Sequence, residues 1–182
     1  LRGTPTMYHG DELGMVDGEV PPEKIQDPAE INAPGLGLGR DPERTPIQWD
    51  SSPNAGFCPP EVEPWLPVAA NYATVNAAAQ KTQPRSMLLF TRQLIALRQQ
   101  TEALYGGSYR TLGADETLLA YVRETTAERY VVVLNFGAED RPWTLPDEGL
   151  TGEVVLSTVM DGGMVVKDGV VVVRGREGVI LR

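Results

Sequence analysis

Two stretches of this 182-residue sequence put charged side chains where they could handle a ligand. The first is His9-Gly10-Asp11-Glu12, at the exit of Thr4–Tyr8, a run read as a short strand with Pro5 near its start. Pro is tolerated there because a missing N–H costs least at the beginning of a strand. Carboxylates at the C-terminal end of a parallel strand sit where α/β enzymes collect their catalytic groups. Adjacent residues of an extended chain point to opposite sides, so Asp11 and Glu12 cannot face one pocket together as an acid/base pair. Read from spacing alone, they fit an exposed acidic turn as well as a pocket carboxylate.

The second stretch is Gly39-Arg40-Asp41-Pro42-Glu43-Arg44-Thr45-Pro46-Ile47-Gln48-Trp49-Asp50. Asp41 can cap a single turn beginning at Pro42. That turn would hold Arg40 and Arg44 four residues apart on one side, and guanidinium forks suit carboxylates and sugar hydroxyls. A structural ion-pair loop stapled by Trp49 is the equal alternative. Other motifs are weaker. Gly35-Leu36-Gly37-Leu38-Gly39 lacks the preceding strand that a phosphate cradle needs. His9 is the only histidine, without the partners of a metal site or a Ser-His-Asp triad, and Cys58 has no basic neighbour to activate it. Trp65 could stack on a sugar but reads first as a packing residue.

The elements that must position these groups are unevenly distributed. Thirteen of the 15 prolines lie in residues 1–84, and residues 1–64 carry 12 acids against four bases, so nearly all of the −9 net charge sits there. Prolines forbid long helices, so Gly14–Thr82 reads as a long irregular loop with one short helical turn over Tyr72–Ala79. The clearest helix opens at Pro84, carries Met87, Phe90, Leu94 and Leu97 at helical spacing with Leu88, Ile95 and Leu104 widening the stripe, and stops at Gly106-Gly107. Such a stripe predicts a largely buried helix. Short β runs follow at Leu118–Val122, Arg129–Asn135, Arg141–Leu145, Glu153–Ser157, Met164–Val166, Val170–Val173 and Val179–Leu181, and Lys167-Asp168-Gly169 marks a hairpin turn. Together they predict a small antiparallel sandwich.

Composition excludes several classes. An acidic chain is a poor match for a nucleic-acid surface, which needs clustered positive charge. One cysteine allows no internal disulfide, and the longest apolar runs fall far short of a membrane span. No cofactor or metal is expected. The chain opens Leu1-Arg2-Gly3-Thr4-Pro5, with neither a basic start nor an apolar run, and a soluble, cytoplasmic setting is the expectation.

Longer motifs carry a resemblance. Gly3-Thr-Pro-Thr-Met-Tyr-His-Gly-Asp-Glu-Leu-Gly-Met15 resembles the eighth-strand signature of the α-amylase family, glycoside hydrolase family 13. Gly39–Asp50, Ala55-Gly56-Phe57, Pro64-Trp-Leu-Pro-Val68, Asn71-Tyr72 and Ser86–Arg98 resemble its α-glucosidase and oligo-1,6-glucosidase branch. The departures are His9 where Tyr or Gln is commoner, Ile47 where Met is usual, and Cys58 where Ser or Thr is frequent.

The resemblance implies an α+β fragment: the last βα unit of a (β/α)8 barrel with a long irregular loop, followed by an antiparallel β-sandwich C-terminal domain. Residues 1–105 would end the catalytic barrel and 106–182 form the sandwich. The implied parent is a retaining α-glucosidase, whose two catalytic carboxyl groups lie about 5 Å apart. In the family these groups, a third aspartate and the metal-binding positions come from upstream of strand eight, which leaves this chain with no catalytic residue. By resemblance Arg44 grips the non-reducing glucose, Arg40 lies near the neighbouring subsite and Glu12 near the pocket mouth. The implied partners are an α-glucoside oligosaccharide and the missing N-terminal barrel portion. Two other readings remain: a stand-alone carbohydrate-binding or structural sandwich, with Trp143 as its exposed platform, and a fragment of a trehalose synthase or sucrose isomerase.

Overall fold

A computed structural model describes residues 1–146 and 150–182. Its chain divides into two compact units, Thr6–Thr91 and Leu1–Pro5 with Arg92–Arg182.

The Thr6–Thr91 unit is built mainly from turns. Short 3₁₀ turns cover Asp11–Leu13, Pro22–Lys24, Asp41–Arg44 and Pro53–Gly56, and two short helices, α1 (Pro28–Asn32) and α2 (Ala77–Gln80), interrupt them. Helix α2 lies later than the turn expected over Tyr72–Ala79, because the Asn76 side chain caps it by accepting from the Ala79 amide. The apolar centre is small: Leu13, Ile47 and Ala77, with Met15 and Leu88 against them. Polar bonds do the rest. Gln80, buried, donates from Nε2 to the Leu13 carbonyl at 2.7 Å and accepts the Leu88 amide at 2.9 Å, while Ser86 donates to the Gln80 carbonyl.

The strand expected at Thr4–Tyr8 does not form. A strand exists only as one rung of a ladder, and no neighbouring strand among the described residues offers one. Instead the Leu1 carbonyl accepts from Arg123 Nη1 at 2.7 Å and the Gly3 carbonyl from Arg98 Nη2 at 3.2 Å. The long helix α3 runs over Met87–Gln100, starting after Pro84 rather than at it, and the boundary between the units falls within it. It breaks at Thr101, and one more turn, α4 (Glu102–Tyr105), precedes Gly106-Gly107. Contrary to the stripe's promise, no residue of α3 is buried. Leu94 and Leu97 pack on the sheet described next, whereas Met87 and Ile95 remain 47 % and 43 % exposed.

The second unit is a sandwich. Its strands are β1 (Ser108–Ala114), β2 (Leu118–Glu124), β3 (Arg129–Asn135), β4 (Arg141–Thr144), β5 (Val154–Ser157), β6 (Val166–Lys167), β7 (Val170–Val173) and β8 (Gly178–Leu181). They form a five-stranded sheet in the order β1-β2-β3-β8-β5 and a three-stranded sheet β4-β7-β6, with all pairs antiparallel. Alternation decides the layers. Leu118, Ala120, Val122, Val131, Val133, Val179 and Leu181 face Val171, Val173 and Leu145 in one core, while Tyr121, Tyr130, Val132 and Ile180 pack on α4. The β6–β7 turn behaves as its residues require, Asp168 and Gly169 both taking positive φ.

Strand β1 was not visible in the sequence pattern. It is an edge strand, mostly exposed, and Gly113 interrupts its alternation at a register shift. The reason for the glycine is Trp143: a Cβ at Gly113 would lie 2.6 Å from the indole ring. Trp143 therefore packs inward against the sandwich core and is not an exposed platform.

Candidate functional site

Glycine at position 10 allows the turn that carries the first acidic pair, since its φ of 96° is closed to most side chains. The following 3₁₀ turn replaces the extended geometry expected for Asp11 and Glu12. Each carboxylate is used locally: Asp11 Oδ2 accepts the Tyr8 amide at 2.7 Å and Glu12 Oε2 accepts the Gly10 amide at 3.1 Å. Glu12 is thus half-buried on its own turn.

The arginine motif forms the expected single turn, but Asp41 does not cap it. Its carboxylate is buried, 2 % exposed, and Oδ2 accepts the amides of Gln26 and Asp27 at 2.6 and 2.7 Å. Asp27 answers from the other side. Its Oδ1 caps α1 through the Ala29 amide at 2.8 Å, and its Oδ2 accepts the Arg40 amide and Arg44 Nη1, each at 3.1 Å. The Ala29 amide foremost, then the Arg40 amide and the Arg44 and Arg40 guanidiniums, hold the Asp27 carboxyl below its usual range against the opposing effect of burial. Arg44 is partly exposed and its other N–H groups meet no partner among the described residues, so they are free to donate. Arg40 is exposed and its guanidinium makes no hydrogen bond among the described residues. Asp27 escaped the sequence reading, although Asp27-Pro28 repeats the Asp-Pro pattern of Asp41-Pro42.

An open recess of about 210 Å³ lies beside these turns, its polar lining formed by Tyr8, His9, Asp11, Asp17, Glu43 and Thr45. Arg44, Arg40 and Glu12 are not among its lining residues; their chain neighbours Asp11, Glu43 and Thr45 are. The remaining motifs resolve simply. Glu30 accepts the Gly35 and Gly39 amides, so the two ends of the glycine loop are already committed to a carboxylate. Trp65, read as a packing residue, is 66 % exposed, and Trp49 is 51 % exposed rather than buried as a staple. The Cys58 thiol donates to the Val62 carbonyl.

Residues 1–107, more than half of the chain, match the family described as the alpha-amylase catalytic domain. The chain belongs to the alpha-amylase family. It is 32 % identical over 178 residues to the oligo-1,6-glucosidase of Parageobacillus thermoglucosidasius, covering 86 % of this chain and 31 % of that protein. It is 43 % identical over 152 residues to the salivary alpha-glucosidase of Anopheles gambiae, covering 80 % of this chain and 25 % of the relative. Among solved structures, the trehalulose synthase MutB from Pseudomonas mesoacidophila MX-45 superposes with a TM-score of 0.85 at 34 % identity, over 99 % of this chain and 35 % of that one. The chain thus spans about a third or less of these alpha-amylase-family relatives. Its fold is the alpha-amylase-family fold with antiparallel sheets. No helix among the described residues is long and apolar enough to cross a membrane.

Proposed function

We propose that this chain is the C-terminal part of a retaining α-glucosidase that releases terminal α-linked glucose from oligosaccharides. In this reading residues 1–105 complete the catalytic barrel and residues 106–182 form its C-terminal sandwich. The family match that ends at residue 107 supports that division. The observation that carries the reading is coverage: nearly the whole chain aligns with about a third of an oligo-1,6-glucosidase. The stripe of α3 that stays uncovered supports it too, because an amphipathic helix of this kind normally buries its apolar face.

Arg44, steadied at one N–H by Asp27, donates its free N–H groups to the hydroxyls of the non-reducing glucose; Arg40 serves the neighbouring subsite and Glu12 the mouth. The nucleophile and the acid/base come from the N-terminal barrel portion, so the 182-residue chain alone is inactive. Its proposed setting is cytoplasmic, a reading that the single, unpaired cysteine supports. A second reading, isomerisation of a disaccharide rather than hydrolysis, draws on the likeness to a trehalulose synthase.

The test is complementation. The chain is mixed with the part of the Parageobacillus oligo-1,6-glucosidase that precedes the aligned region, and p-nitrophenyl α-glucoside hydrolysis is followed. No release by either piece alone, release by the pair, and its loss with Arg44→Ala is the expected result. Turnover by the 182-residue chain alone would overturn the reading, and so would a pair that stays silent after its association is verified. Replacing the substrate with sucrose and analysing products separates hydrolysis from isomerisation.

A further inference from the structure

We propose that Asp27 is a positioning residue for Arg44: its carboxylate fixes the direction in which the guanidinium faces a sugar. This rests on the reading of Arg44 as a sugar-binding group. The two oxygens of Asp27 divide their work. Oδ1 is spent on the Ala29 amide, an ordinary helix cap, while Oδ2 takes the Arg40 amide and Arg44 Nη1. A cap needs only one oxygen. The second oxygen ties the start of the arginine turn and the guanidinium at its end to one point.

That point is itself immobilised. The Asp27 amide, with that of Gln26, is held by Asp41 Oδ2, so each aspartate grips the backbone beside the other across fourteen residues of sequence. Asp27 is 6 % exposed and Asp41 2 %. A guanidinium seated on a buried, braced carboxylate loses rotational freedom before any ligand arrives, which lowers the ordering cost of binding. Only one of its N–H groups is spent in doing so. Arg40 lacks such a partner, its guanidinium reaching Asp27 only as a distant charge. The geometry thus separates a pre-oriented arginine from a free one within a single turn.

The experiment uses the intact chain and reads the guanidinium directly. Arginine side-chain ¹⁵N spectra, with Arg44 assigned through Arg44→Lys, are recorded while the Asp27 carboxyl ¹³C signal is titrated with acid. Expected are separate, slowly exchanging Nη signals for Arg44 that collapse to one average as Asp27 protonates, and the same collapse in Asp27→Asn at neutral pH. Asparagine keeps a cap oxygen for the Ala29 amide, so retained protection of that amide distinguishes lost orientation from a lost helix. Freely rotating Arg44 in the wild-type chain, or signals indifferent to Asp27 protonation, would overturn the proposal whether or not the variant folds.

In the complemented enzyme, Asp27→Asn is expected to raise KM about tenfold with kcat nearly unchanged, the pattern of weakened uniform binding. An unchanged KM overturns the positioning role. If the wild-type pair shows no activity, the sugar-binding reading of Arg44 fails, and the spectra still decide whether Asp27 orients it.

Discussion

In the sandwich, Val131, Val133, Val171, Val173, Val179 and Leu181 are buried to 1 % exposure or less, and hydrogen-bonded ladders run behind them. In the Thr6–Thr91 unit only Leu13, Ile47 and Ala77 form an apolar cluster, and buried or half-buried side chains hold backbone amides and carbonyls in place of a ladder. The first solution resists solvent because burial of apolar area is cooperative and non-directional. The second fixes the direction of individual groups, because each hydrogen bond is geometric, but it depends on every partner being present. A unit whose task is to present Arg44 at a set angle benefits from the second kind. A unit that carries no candidate ligand residue is free to use the first.

The comparison is broken or sharpened most strongly by truncating the sandwich core. Leu181→Ala should cost about 3 kcal/mol, as for a buried leucine whose cavity cannot collapse. Urea denaturation followed by Tyr and Trp fluorescence reads this. A loss near zero would mean that the ladders, not the core, hold the sandwich.

Next in size is Asp41→Ala, which strips the half-buried Gln26 amide and the buried Asp27 amide of their acceptor and should cost about 2 kcal/mol in the turn-built unit. Amide exchange is the measurement: protection at Gln26 and Asp27 should fall while that of β2, β3 and β8 is unchanged. Equal losses in both units would show that they do not open separately.

The smallest effect is acid sensitivity of the sandwich. The Thr117 amide and then Arg141 hold Asp115 at about 2, and Arg174 with the Gly163 amide holds Asp161 below its usual range. Burial pushes Glu177 upward, but Arg174 and Ser157 outweigh it and bring it below its ordinary value. These folded-state values lie under the ordinary 3.8 and 4.5, so the unfolded chain binds more protons than the native one in acid. The stabilisation is complete above about pH 5 and is lost as pH falls through the folded-state values. Urea midpoints between pH 7 and pH 2 should show this decline, and Asp115→Asn should flatten it below pH 4. A midpoint that stays level to pH 2 would remove these ion pairs from the account.

Much of the sandwich was legible because short runs of β-branched and apolar residues bounded by turn signals announce a strand, as in Arg129–Asn135 and Val170–Val173, although such runs do not say which face is buried. Strand β1 was hidden because edge strands bury little and Gly113 interrupts the pattern for the sake of an indole thirty residues away. The α3 stripe was read correctly as a stripe and wrongly as a buried one. Periodicity says which face is apolar; it does not supply the surface that would cover it.

At the candidate site, local chemistry determined the turns: Pro42 after Asp41 restricts the backbone, Gly10 before Asp11 opens it to positive φ, and the structure contains both turns. Residue types and motif order likewise carried the family, which the comparisons then showed. What only the tertiary structure decided is where each charge is spent. Asp41 reaches back to Gln26 and Asp27, Asp27 takes Arg44, and Trp143 turns inward over Gly113. Those pairings join residues up to thirty positions apart, and no periodic pattern encodes such a partner. A buried carboxylate takes whichever donors the folded chain brings within about 3 Å, because leaving it unpaired costs more than any local preference it gives up.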